Sequence, residues 1–329
     1  MIALGIFSIG ISLSSCNNEQ PASPYDELLA KPPFRTLTDS IHDSPDRHDL
    51  YFRRGILLNT NELTGPALAD FMTAWKLQPA EEYALGAGNL LLESKPDSAI
   101  IFLKNTIQQI PNSTLLKLTL ARAYSEMKML PEALDICNEL LTRNPEQVDI
   151  LKMKADLLDR GGKTIEAIAI LETAYTLTPQ DVELNYMLAW KLAEGKDHRV
   201  LALTDSLIKA DSLGIHAEPY YYKGIYYSAL NDKTTALHYF DLAVKHDYYF
   251  LDGYIEKGAI LYDMKKYAEA LPVLNLALTI SPKFADAYYW IAKCQEVTGK
   301  KDEARLNYER AYSLDKNMTE AKEAADKLK

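Results

Sequence analysis

The fold class predicted here is a repeat array, one continuous stack of similar units, and three observations predict it. Pro45, Pro79, Pro111, Pro145, Pro179 and Pro282 are separated by 34, 32, 34, 34 and 103 residues, the last gap being three periods plus one. Small residues recur at the same interval of 34 in three series: Gly224, Gly258 and Ala292; Ala236, Ala270 and Ala304; Ala243, Ala277 and Ala311. The composition, 47% hydrophobic and 25% charged, suffices to bury a core, so most of the 329 residues should fold. Length alone suggests about two domains. A fixed period overrides that estimate, because each unit then covers the apolar face of the next and the array forms one cooperative body.

Taken in order, the first element is an address. Residues 1–15 open with an apolar run of about a dozen residues, the length of a signal-peptide core and too short to span a bilayer, and they lead into Leu13-Ser14-Ser15-Cys16. That quartet resembles the lipobox of bacterial lipoproteins. The resemblance implies a signal peptide over 1–15, cleavage before Cys16 and lipid attachment, with palmitate-type acyl chains, on its thiol. No Lys or Arg precedes the apolar run, a departure that a start codon upstream of Met1 would remove. Acyl chains contribute about 0.8 kcal/mol per buried methylene, and two or three of them make a stable membrane anchor. The same resemblance implies the cell envelope of a Gram-negative bacterium, and Asn17, where an aspartate would mean inner-membrane retention in enteric lipoproteins, points to the outer membrane. Residues 16–35 hold Pro21, Pro24, Pro32 and Pro33, which favour extended backbone and deny helix hydrogen bonds, and so read as a flexible tether.

From residue 36 to 329 the repeats follow one register. Counting from Ala217, positions 4, 8, 20, 24 and 27 are Tyr220, Gly224, Ala236, Phe240 and Ala243. The next repeat supplies Tyr254, Gly258, Ala270, Leu274 and Ala277, and the one after it Tyr288, Ala292, Ala304, Tyr308 and Ala311. Earlier repeats start near His48, Ala80, Thr114, Val148 and Val182, and the first of them reads Tyr51, Gly55, Ala67, Phe71, Ala74 and Pro79. These residues resemble the tetratricopeptide repeat, two antiparallel helices in about 34 residues. The resemblance implies an all-α superhelical solenoid of about eight helix pairs with a C-terminal capping helix over Thr319 to Lys329. Thr36 to Pro45 has the register of a lone second helix.

Close approach explains the pattern: helices come within about 8 Å only where facing residues are small, so glycine or alanine sits at 8, 20 and 27 while larger residues fill the flanks. Two repeats should be irregular. The second is two residues short, and the one from Val182 is one residue long and places Leu201 at position 20. Pro96 and Pro131 stand where second helices begin. Gly161, Gly195 and Gly299 fall between paired helices, where a left-handed cap is expected of glycine.

Several chemistries are disfavoured. With 46 acidic and 36 basic side chains the net charge is −10, which repels nucleic-acid phosphates and anionic headgroups, so no nucleic-acid partner is expected. Arg160-Gly161-Gly162-Lys163-Thr164 ends like a phosphate-binding loop, but Leu157 stands where that loop needs glycine and no strand precedes it. His42, His48, His198, His216, His238 and His246 show no metal-ligand spacing, and no metal or other cofactor is expected. Cys137 and Cys294 fall on packing positions of distant repeats and should be free thiols. No nucleophile, base and orienting group stand in an arrangement that local spacing supports, so no enzyme activity is expected.

One stretch of the repeat from Ala217, EPYYYKGIYY (218–227), has five tyrosines in ten residues. In the register, Tyr220 and Tyr227 pack inside their repeat and Tyr226 touches a neighbouring one. Tyr221 and Tyr222 differ. In tetratricopeptide proteins positions 2, 5, 6, 9, 12 and 13 line the concave groove, and there this chain carries Tyr186, Trp190, Tyr221, Tyr222, Tyr262, Tyr289 and Trp290, rimmed by Glu183, Glu218, Asp252 and Asp286. Aromatics suit protein interfaces, and acid around them favours a basic or neutral ligand. Members that clamp a terminal carboxylate use lysines and asparagines at these positions, where this half has only Lys293. The expectation is a lipid-anchored scaffold or adaptor that binds a protein or peptide in its groove. The alternative is a carbohydrate-binding accessory of polysaccharide uptake, and a third expectation is that the groove rings merely pack on one another.

Overall fold

The computed structural model describes residues 25–328, which are all helix, turn and loop with no strand among them. They group into two units, one ending at residue 129 and the other starting at residue 130. In the first, α1 (Asp26–Leu29) and α2 (Arg35–Asp43) precede the pairs α3 (His48–Thr60) with α4 (Thr64–Leu77) and α5 (Glu81–Ser94) with α6 (Pro96–Gln109), and α7 (Thr114–Glu126) follows. Gly55 of α3 faces Phe71 of α4 so closely that an added Cβ would lie 2.7 Å from the ring. Beside that contact Arg54 donates two hydrogen bonds to Asp70, each 2.7 Å, in a buried pair completed by Thr38 Oγ1 at 3.1 Å. Burial outweighs the guanidinium and leaves the Asp70 carboxyl above its ordinary range.

Residues 25–35 are not a tether. Leu29 and Phe34 are buried, and with Tyr25 and Leu28 they join Leu58, Ala67, Phe71 and Ala87 in one core cluster. The apolar side of α3 and α4 needs a cover, and this short apolar segment supplies it despite its prolines. Cys16 and the signal peptide expected over 1–15 lie outside the described residues.

The second unit opens with α8 (Leu130–Arg143) and continues through α9 (Val148–Arg160), α10 (Thr164–Leu177), α11 (Val182–Glu194), α12 (Arg199–Ala210), α13 (Glu218–Ala229) and α14 (Lys233–His246). It ends with α15 (Leu251–Asp263), α16 (Tyr267–Ile280), α17 (Ala285–Val297), α18 (Lys301–Leu314) and the closing α19 (Thr319–Lys327). Each odd helix from α9 to α17 packs antiparallel to the next, and α11 on α13 and α15 on α17 join neighbouring pairs. The fold is an all-α tetratricopeptide array, with the small positions Ala236, Ala243, Ala270, Ala277, Ala304 and Ala311 all 0% exposed.

Three local readings change. Gly161 (φ −81°) and Gly195 (φ −73°) end their helices without entering the left-handed region. Position 15 enters it instead, in seven repeats: Glu62, Lys128, Gly162, Lys196, Asn231, Lys265 and Gly299. There the next residue's N–H closes back five residues, as from Lys163 to Leu158 O and from Lys266 to Leu261 O, both 2.9 Å, which satisfies helix-end carbonyls. This cap geometry, and not a phosphate cradle, accounts for Gly161-Gly162-Lys163-Thr164. Secondly, α12 buries Val200, Thr204 and Leu207 at the intervals used by Ala167, Leu171 and Ala174, so Val200 rather than Leu201 takes position 20. Thirdly, the short second repeat runs α5 through to Ser94, leaving Lys95 alone before α6.

Candidate partner-binding site

The register puts every second helix's predecessor on one face, and the second unit brings the predicted aromatics together there as two groups. In the first, Trp190 of α11 lies nearly parallel to Tyr221 of α13, centroids 6.1 Å apart and planes 5° apart. Tyr222 tilts onto Trp190 at 5.6 Å and meets Tyr186 edge-on at 6.2 Å. Tyr221 also meets Phe250, just ahead of α15, at 5.2 Å and 71°. Burial raises both Tyr221 and Tyr222 well above ordinary phenols and pushes Tyr186 up to about 12, with nearby carboxylates adding to it. These phenols are hydrogen-bonding groups and apolar surface, not acids, near neutral pH.

The second group joins Trp290 to Tyr262 at 5.6 Å and to Tyr289 at 5.9 Å. Lys293 caps it: its Nζ lies 4.1 Å from the Trp290 ring centre, 4.9 Å from Tyr262 and 5.5 Å from Tyr289, a cation held by three ring faces. No ring contact joins the two groups among the described residues. All seven predicted rings are half-buried, since each leans on a neighbouring helix as well as facing outward.

The other tyrosines of the 218–227 stretch sit as the register predicts. Tyr226 is buried in the core with Leu184, Leu188 and Leu192 of the preceding repeat. Tyr220 stacks on His246 of its own repeat at 4.3 Å, and Tyr227 on Tyr239 at 5.5 Å. Cys137 and Cys294 are buried free thiols, each pushed up to about 11 by that burial.

Two features escaped sequence reasoning. A cavity of about 260 Å³ opens beside Trp190, lined by Ala155, Leu171 and Met187 with Asp156, Asp159 and Lys191 around it. Glu256, at the groove position that Tyr222 and Trp290 occupy in their repeats, is the other. The position-6 register held the signal for Glu256; the cavity has none, because it depends on how three helices meet. The rim acids also differ in their surroundings. Glu183 is ion-paired with Lys152, whereas Asp252, Glu256 and Asp286 have no Lys or Arg nitrogen within 4.0 Å among the described residues. Burial raises Glu256 above its ordinary range and Asp252 adds to that; burial likewise raises Asp286.

These helices define an all-α helix-pair repeat protein whose second unit gathers aromatic side chains of successive first helices into two groups. A sequence profile of the tetratricopeptide repeat matches residues 90–157 and 261–311. The chain is similar to a crystallised tetratricopeptide repeat protein from Parabacteroides merdae, with a TM-score of 0.56 and 16% identity over 85% of this chain and 98% of that one. It is also similar to a chain of the APC/C hetero-tetramer Cut9-Hcn1, TM-score 0.51 and 15% identity, covering 91% of this chain and 60% of that one. Among curated proteins, the DnaJ homolog subfamily C member 7 homolog of Dictyostelium discoideum is 24% identical over 241 residues, 71% of this chain. The chain spans 41% of that relative's length.

Proposed function

We propose that this protein is a non-enzymatic, lipid-anchored scaffold that holds a protein or peptide partner against the groove face of α11 to α17. It is tethered through acylated Cys16 at the envelope of a Gram-negative bacterium, on the outer membrane. The observation that carries the binding reading is the Trp190, Tyr221, Tyr222 and Tyr186 group beside a cavity with Ala155, Leu171 and Met187 on its wall and Asp156, Asp159 and Lys191 around it. Half-buried aromatics next to a hollow that admits an apolar side chain are the makings of an interface anchor, since rigid rings give large contact area at low entropic cost. The support for the anchor is the lipobox-like Leu13-Ser14-Ser15-Cys16.

The test is cross-linking and pull-down from envelope extracts with the wild type and a Trp190→Ala/Met187→Ala double variant whose helical content and melting temperature are checked first. Loss of a specific protein from the variant is expected. Glycan retention that depends on Trp190, with no protein lost, would replace this reading with polysaccharide uptake. For the anchor, Cys16→Ala should move the protein out of the membrane fraction, and continued membrane association would count against acylation.

A further inference from the structure

Resting on the groove reading just given, we infer that the occupant of this face is an extended segment bearing a cationic side chain, arginine or lysine, which seats between Tyr221 and the carboxylates of Asp252 and Glu256. Charge complementarity carries it. Asp252 and Glu256 are four apart on α15 and so share one face, and Tyr221 reaches the start of that helix through Phe250. The lysines that these helices do carry are turned to other tasks. Lys223 of α13 is buried against Asp205, and Lys257 of α15 is paired with Asp241. Lys293 is held over the second ring group.

The face between the two ring groups is therefore aromatic and anionic with no counterion from the chain itself. A guanidinium or ammonium arriving there would stack on a ring and pair with carboxylates at once. An anionic or purely apolar segment would leave those carboxylates desolvated and unpaired, which penalises it. The Asp286 carboxylate, one repeat further along, extends the same sign of charge toward α17.

The experiment uses the full chain and an array of synthetic nonapeptides, apolar and uncharged except at the centre, where each carries Arg, Lys, citrulline or Glu. Arg and Lys peptides should be retained about tenfold better than citrulline, the neutral isostere of arginine, in keeping with hydrogen bonds to charged groups, and the preference should weaken with salt. Glu256→Gln should cut the ratio of Arg to citrulline binding about fivefold while the citrulline peptide itself binds unchanged. If Trp190→Ala abolishes binding but Glu256→Gln leaves that ratio as it was, the cationic occupant is wrong and the groove reading stands. A preference for the Glu peptide overturns the inference outright. Retention of no peptide by the wild type would sink both.

Discussion

The neighbouring pairs α11 with α12 and α13 with α14 solve one packing problem with opposite distributions of bulk. In the second pair Gly224 leaves room for the fully buried Phe240 ring, to which an added Cβ would approach within 2.4 Å, and Ala236 and Ala243 flank it. In the first, Ala189 stands where glycine would, the matching central residue is Thr204, and bulk has moved outward to Val200 and Leu207. Thr204 turns its hydroxyl inward to donate to Val200 O at 2.7 Å, which keeps that polar atom satisfied in a dry place. The lesson is that total volume between two helices is constrained more tightly than the size at any single position.

The strongest way to break that comparison is to empty the centre of each pair. Phe240→Ala should cost about 3–5 kcal/mol, whereas Thr204→Ala should cost no more than about 1.5 kcal/mol, one modest hydrogen bond and a methyl. Equal falls in melting temperature would show that the two centres are alike. Overfilling comes next: Ala236→Leu should destabilise by about 1–3 kcal/mol, measured by urea titration, and an unchanged midpoint would contradict the register.

A third contrast concerns charge on the face of α15 and α17. The raised carboxyl of Glu256 binds a proton more readily in the folded state, so its contribution to stability is full below the unfolded value and is lost as pH rises through the folded one. Glu256→Gln should therefore be more stable than the wild type at neutral pH, and the gap should close on acidification. A gap constant with pH would mean that Glu256 is unstrained. The smallest effect belongs to the turns: Lys265→Gly, relieving a side chain held at φ 61°, should stabilise by about 0.5–1 kcal/mol. Gly299→Lys should do the reverse, and thermal melts resolve both signs.

Much of this was legible because interval is a property of sequence. The ladders through Gly224, Ala236 and Ala243 located first-helix starts at His48, Thr114, Val148 and Val182, where the helices begin. They also sorted Tyr226 into the core and Tyr221 onto the face. The Val200 register was not legible, since an inserted residue can be absorbed before or after a helix and only packing chooses. Nor were residues 25–35, whose prolines spoke for extension while their apolar side chains had a partner that lies elsewhere in the chain. The left-handed residue of each turn was assigned by composition to the glycine; geometry assigned it to position 15, whichever residue stands there.

By itself, the sequence determined the period and the pairing of helices, because each follows from small residues recurring where helices must touch. Only the tertiary structure decided that the face rings form two groups, that Lys293 is held by one of them, and that Asp252 and Glu256 stay without a cation. Those outcomes depend on distances between residues far apart in the chain, which no local pattern encodes.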